Sequence, residues 1–399
     1  MRRYSLSFLG NMRAGNRARH ENDNSHDASG LRAPLSGDGR RTLWPRVAWM
    51  DGVLRAPGVA DALAGSVSCG RQHPSRPGGA DGGAIGAARG AERERGPCFD
   101  ETVVPGGYQW WYIDALSDDG SYGLTAIAFI GSVFSPYYAW SGRKDPLQHC
   151  AMNVALYGPT NQRWAMTERG ADAVTRSKDI LAIGPSSLSW DKDALTIHVD
   201  EIATPFPRRI RGNIRVEPIA INSQSFLLEA HGRHFWRPIA PSARVSLDLC
   251  APDLRWSGRG YFDTNDGMEP LEYAFSKWTW LRASLRDGTA ILYDAERRRE
   301  SPLSLALRFD ALGRYESVEP PPSAPLPPTG WRVARQTRSD DGKAFVERGF
   351  EDTPFYARSL VSTSLCGERV AAMHESLSLD RFANPIVRVM LPFRMPRRV

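Results

Sequence analysis

Two pairs of residues carry the sharpest chemical suggestion in this sequence: His234 with Trp236, and Tyr261 with Asp263. The members of each pair stand two positions apart, so on extended backbone both side chains of a pair project to one face. A carboxyl group at a strand end among aromatic rings loses solvation, its pKa rises, and it keeps a proton near neutral pH as a general acid must. Ring faces stabilise a cation by roughly 0.5 to 2 kcal/mol each. Acid and rings together are what the protonation of an apolar alkene requires. Each residue also has a plainer reading: His234 as a hydrogen-bonded core imidazole, and Asp263 as the capping residue of the turn-forming DTNDG. Asp266, Glu269 and Glu272 compete with Asp263 for the acid role.

Strands have to position these groups. Taken as a strand, SFLLEAHGRHFWRP puts Phe226, Leu228, His234 and Trp236 on one face, with Glu229 and His231 on the other. His231 and His234 therefore oppose each other, which makes a poor chelate, and no metal site is predicted. YQWWYID sets Tyr108, Trp110, Tyr112 and Asp114 on one face, and SKWTW does the same for Trp278 and Trp280. Tyr108, Trp110 and Trp278 are candidates to line an apolar substrate, with core packing as the alternative.

From Cys98 onward, short runs of aromatic and β-branched residues alternate with Gly, Pro, Asn and Asp, the pattern of an all-β sandwich or barrel. DAVTRSKDI is the one helix-compatible stretch. Pro238 and Pro241 interrupt the strand series, which suggests a domain boundary near Ala240 and two β domains, 98–240 and 241–399. PPPSAPLPP (320–328) reads as a stiff extended connector within the second.

Residues 1–97 differ in kind. They hold 15 Arg, no Lys and 9 acidic residues, which accounts for the whole net charge of +6. Rich in Gly and without apolar periodicity, this extension is expected to be disordered. The neutral remainder lacks the polycationic character that phosphate contacts need, so a nucleic-acid partner is not expected. Five scattered cysteines suggest neither a disulfide framework nor a zinc site. No apolar run approaches the ~20 residues that span a bilayer. Phosphate loops, dinucleotide fingerprints and nucleophile elbows are absent from the sequence, which argues against cofactor-dependent chemistry.

GGYQWWYIDALSDDG, TAIAFIGSVFSPYYAWSGR, DPLQHCAMNVALYGP, MTERG, GPSSLSW, GYFDTNDG and FEDTPFYARSLV, in this order, resemble the acyclic carotenoid 1,2-hydratases, or hydroxyneurosporene synthases. The resemblance covers about residues 98–395; it offers no counterpart for 1–97, which is expected to be dispensable. It implies two lipocalin-like β-barrel domains and a cofactor-independent hydro-lyase. That enzyme would add water across the C1,C2 double bond of an acyclic carotenoid such as neurosporene or lycopene. The family's active-centre His, Trp, Tyr and Asp fall on His234, Trp236, Tyr261 and Asp263. Asp263 is then the expected proton donor, Trp236 the cation stabiliser and Tyr261 or His234 its hydrogen-bonding neighbour, with His234 also a candidate to position water. A membrane-borne substrate implies peripheral association with the cytoplasmic side of the photosynthetic inner membrane, and PIVRVMLPFRMPRR is the candidate contact. The competing reading is a non-catalytic, lipocalin-like carrier of a carotenoid or other isoprenoid, which would gain nothing from burying Asp263.

Overall fold

A computed structural model describes residues 96–398. The expected disordered extension over 1–97 lies almost entirely outside the described residues. Its last two are built into the fold: Trp111 Nε1 donates to the Pro97 carbonyl at 3.0 Å, and Arg237 Nη2 to that of Gly96 at 2.8 Å.

The fold is mostly β. The first sheet is formed by β1 (Tyr108–Ser117), β2 (Gly123–Ile130), β3 (Cys150–Tyr157), β4 (Arg163–Arg169), β5 (Val174–Arg176), β6 (Ile180–Ile183), β7 (Ser186–Asp191), β8 (Ala194–Ile202), β9 (Arg209–Pro218), β10 (Phe226–Leu227), β11 (His234–Ala251) and β12 (Asp253–Gly267). The spatial order of these strands is β4-β3-β2-β1-β12-β11-β9-β8-β7-β6-β5, each pair among them antiparallel, with β10 attached to β11. The sheet curls into a half-barrel until β4 meets β8, where Arg169 and Glu201 pair at 2.8 Å. Trp111, Ile113, Leu124, Ile197, Val245 and Phe262 fill the inside of the curl.

The second sheet has the order β16-β15-β14-β13-β21-β20-β19. Its strands are β13 (Phe275–Leu285), β14 (Gly288–Arg297), β15 (Leu303–Phe309), β16 (Tyr315–Ser317), β19 (Phe345–Asp352), β20 (Tyr356–Leu365) and β21 (Glu368–Ser378); a hairpin of β17 (Ser323–Leu326) and β18 (Arg335–Arg338) intervenes. The proline-rich connector is thus extended, as its composition suggested, and paired with β18. Among the described residues, neither sheet closes by hydrogen bonds into a complete barrel.

The expected boundary near Ala240 falls within a strand. It sits inside β11, and the flanking prolines, which lack a ladder N–H, are absorbed as register shifts between Arg237 and Ala240 and between Ala240 and Ala243. The chain passes from one sheet to the other between Gly267 and Phe275. The helix-compatible DAVTRSKDI (172–180) holds the last two residues of a 3-10 turn (Ala171–Ala173) and then β5.

Among the described residues, four short α-helices occur, three of them started by a capping side chain. Ser135 caps α1 (Pro136–Trp140), with proline at its first position; α2 (Leu271–Ala274) follows Pro270. Ser378 caps α3 (Leu379–Ala383), and Asn384 with Pro385 starts α4 (Pro385–Met390). The C-terminal PIVRVM is therefore helical, and only Arg397–Arg398 form a last strand, β22, parallel to β4.

Candidate active site

Because side chains alternate along a strand, β1, β11 and β12 turn one set of residues into the curl and the other toward the second sheet. The outward set packs against β13 and β14 in a second core, which includes Tyr108, Trp110, Tyr112, Trp236, Tyr261, Trp278, Trp280 and Tyr293. The ladder arranges it in rungs. Tyr108, Gly267 and His234 share the first; Trp110, Asn265 and Trp236 the second; Tyr112 faces Asp263 in the third and Asp114 faces Tyr261 in the fourth. The candidate residues therefore lie between the two sheets, not inside the curled one.

Asp263 is buried, and its two oxygens are treated differently. Oδ2 accepts from Tyr261 Oη at 2.8 Å and from Trp236 Nε1 at 2.8 Å. Oδ1 is buried without a hydrogen-bond partner. Loss of solvent raises the carboxyl pKa to about 8, against the downward pull of the two donors, with Glu375 and Asp114 adding to the rise. At neutral pH the group is protonated.

His234 does not join this arrangement. It sits opposite Gly267, four residues from Asp263 along β12, or about 13 Å of strand. Its Nδ1 lies 2.9 Å from Tyr108 Oη, and its Nε2 3.6 Å from Glu269 Oε1. Burial lowers its pKa to about 4, with Glu229 opposing and Arg233 assisting, so the imidazole is neutral. The alternative in which His234 bonds the acid is thus corrected: Trp236 and Tyr261 do so.

Tyr108, Trp110 and Trp278 fall in one continuous aromatic wall. Tyr108 stacks on Trp110 at 5.0 Å between centroids, and Trp110 lies 6.0 Å from Trp278. Tyr293, which sequence reasoning missed, joins Trp278 at 5.5 Å and Trp236 at 5.3 Å. The competing acids are engaged elsewhere. Asp266 stands opposite Gln109 and Phe235 on the other face, Glu269 pairs with Arg233 at 2.9 Å, and Glu272 joins Arg143 to Arg388. His231 is exposed, 3.8 Å from Glu300.

Residues 126–399 match the family described as carotenoid hydratase CrtC. The chain belongs to this family. Among its curated relatives, the acyclic carotenoid 1,2-hydratase of Thiocapsa roseopersicina is 55% identical over 377 residues, covering 93% of each chain. The protein of that name from Rubrivivax gelatinosus is 47% identical over 380 residues, again covering 93% of each. In Cereibacter sphaeroides the corresponding protein is 44% identical, with 98% of its length matched to 68% of this chain. Matches spanning 93% of the chain must enter residues 1–97, so this part of the chain has counterparts in some relatives, contrary to expectation. Family membership makes the protein an enzyme of the hydratase class.

Proposed function

We propose that the protein adds water across the terminal C1,C2 double bond of acyclic carotenoids such as neurosporene or lycopene, with Asp263 as general acid, to give the tertiary 1-hydroxy product. The observation that carries this reading is the asymmetry of the Asp263 carboxyl. Two donors converge on Oδ2, which leaves the proton on Oδ1, the oxygen without a partner among the rings.

Transfer of that proton to C2 leaves a tertiary cation at C1 and a carboxylate. Tyr261 and Trp236 then stabilise the carboxylate through hydrogen bonds that strengthen as charge develops on Oδ2. Faces of Trp236, Tyr293, Trp110 and Trp278 shield the cation, each by roughly 0.5 to 2 kcal/mol. Water attacks C1 and returns a proton to Asp263, which restores the acid and balances the addition. The neutral His234, paired with Tyr108, stands too far along the strand for that transfer and holds the polyene at the outer rung. Tyr108, Trp110 and Trp278 line the chain's path. We read the two sheets as two lipocalin-like halves with the reacting end group between them.

Peripheral membrane association at the cytoplasmic side of the photosynthetic inner membrane belongs to this proposal. It is supported by exposed Trp140 on α1, Tyr273 on α2, Ile386 and Val389 on α4, and Phe393 just beyond, with exposed Lys144 four residues after Trp140. Co-sedimentation with anionic vesicles, lost in an Ile386→Ser/Phe393→Ser variant, tests it.

The activity test is product analysis in cells making lycopene or neurosporene, with wild type beside Asp263→Asn at matched protein levels. Wild type should gain one water and the variant none. Hydration by both would remove Asp263 from the acid role, and hydration by neither would favour a carrier.

A further inference from the structure

One rung beyond Asp263, the aromatic wall meets charge. Asp114 stands opposite Tyr261 on the β1–β12 ladder and is fully buried. Two arginines from the second sheet converge on it: Arg282 Nε lies 3.0 Å from Oδ1, and Arg358 Nη2 3.2 Å from Oδ2. Arg358 also contacts Glu375, which accepts from Tyr112 Oη at 2.9 Å. Each arginine covers a ring of the site, Arg282 over Tyr261 at 5.9 Å and Arg358 over Tyr112 at 5.7 Å.

We infer that the Asp114–Arg282–Arg358–Glu375 network is the end stop of the substrate slot and confines hydration to the chain terminus. This inference rests on the reading of Asp263 as the acid. From Asp263 to the rung of Tyr261 and Asp114 is two residues of strand, about 7 Å. That depth takes the two methyl groups on C1 while C2 faces the carboxyl. It does not take a further five-carbon unit, which an internal double bond would have to push past the acid. Rings can turn aside for an apolar chain. Ion pairs held largely out of water do not, because parting one charge from its partner leaves the other uncompensated. The network therefore acts on position, and its residues touch no reacting atom.

The test uses the full-length protein and lycopene, with Asp114→Asn/Arg282→Met, which removes one charge of each sign, beside Arg282→Lys. Mass spectrometry and NMR locate the hydroxyl, a readout that loss of stability alone does not move. The double variant should lower the ratio of C1 to internal product at least about tenfold, while Arg282→Lys keeps C1 alone. A folded, active double variant that still hydrates only C1 overturns the inference. Should that variant not fold or not turn over, wild type decides with a carotenoid already hydrated at its far end and bearing propyl in place of one methyl on C1 of the near end. Its kcat/KM should fall roughly 10- to 100-fold, whereas the same carbons added at the far end should change little. Equal turnover of the two overturns the inference. Activity surviving in Asp263→Asn would instead sink the acid assignment, wherever the hydroxyl falls.

Discussion

The indole N–H of Trp236 donates to Oδ2 of Asp263 at 2.8 Å, so a residue whose ring suits a cation also holds the acid in place. Ring and N–H act on different parts of the reaction and can be separated by substitution.

Trp236→Phe keeps an aromatic face and removes one donor, as Tyr261→Phe does at the other bond. A hydrogen bond of this kind contributes about 1 to 1.5 kcal/mol, so kcat should fall about tenfold in each. Both donors favour the ionised carboxylate, so losing either moves the alkaline limb of activity to higher pH. Steady-state rates across pH check both effects, and Trp236→Ala should lose more than Trp236→Phe.

Wild-type activity should be flat through neutral pH and decline as pH rises through about 8, where Asp263 surrenders its proton. His234, with its pKa near 4, stays neutral over that range and contributes no limb of its own. A decline centred near 6 would instead mark an imidazole as the group that matters.

Asp263 also couples stability to pH. Its folded-state pKa is raised, so between about 4 and 8 the folded protein holds a proton that the unfolded chain has released. Stability from this group therefore falls as pH rises across that window, by at most about 1.4 kcal/mol per unit. The amide introduced by Asp263→Asn cannot titrate, so the stability of that variant relative to wild type should improve steadily from pH 4 to 8. His234 works in the opposite direction below about 6.5 but is common to both proteins and cancels. Urea melts at several pH values measure the difference.

Gly267 admits no side chain. A Cβ there would lie 2.3 Å from the Tyr108 ring and 2.8 Å from His234 Nδ1. Gly267→Ala should cost about 1 to 3 kcal/mol of stability and disturb the Tyr108–His234 pair. A thermal melt indistinguishable from wild type would show that the outer rung yields freely.

Strand alternation made the faces of the site legible: Tyr108, Trp110, Tyr112 and Asp114 share one side of β1, and each chemical pair shares a side of its strand. It did not say which side meets the second sheet, because nearly every residue of β1 is buried and both faces are apolar. Arg358 reaches Asp114 across 244 positions of sequence, and no local pattern announces such a contact. The prolines of β11 read as a boundary because their lack of an N–H signals a break, which two register shifts absorb. At the C-terminus, Asn384 and Pro385 start a helix within the stretch read as a membrane contact.

The rings between the sheets already touch one another, Trp236 against Tyr293 and Trp278 against Trp110. On the proposed reading the substrate enters where these rings now meet, and the side chains behave as its tethered competitor. Apparent affinity is the intrinsic affinity reduced by the fraction of molecules whose slot stands open. Trimming one of these rings would then tighten binding of the polyene while weakening the shield over the cation, so capture and turnover pull the same residues in opposite directions.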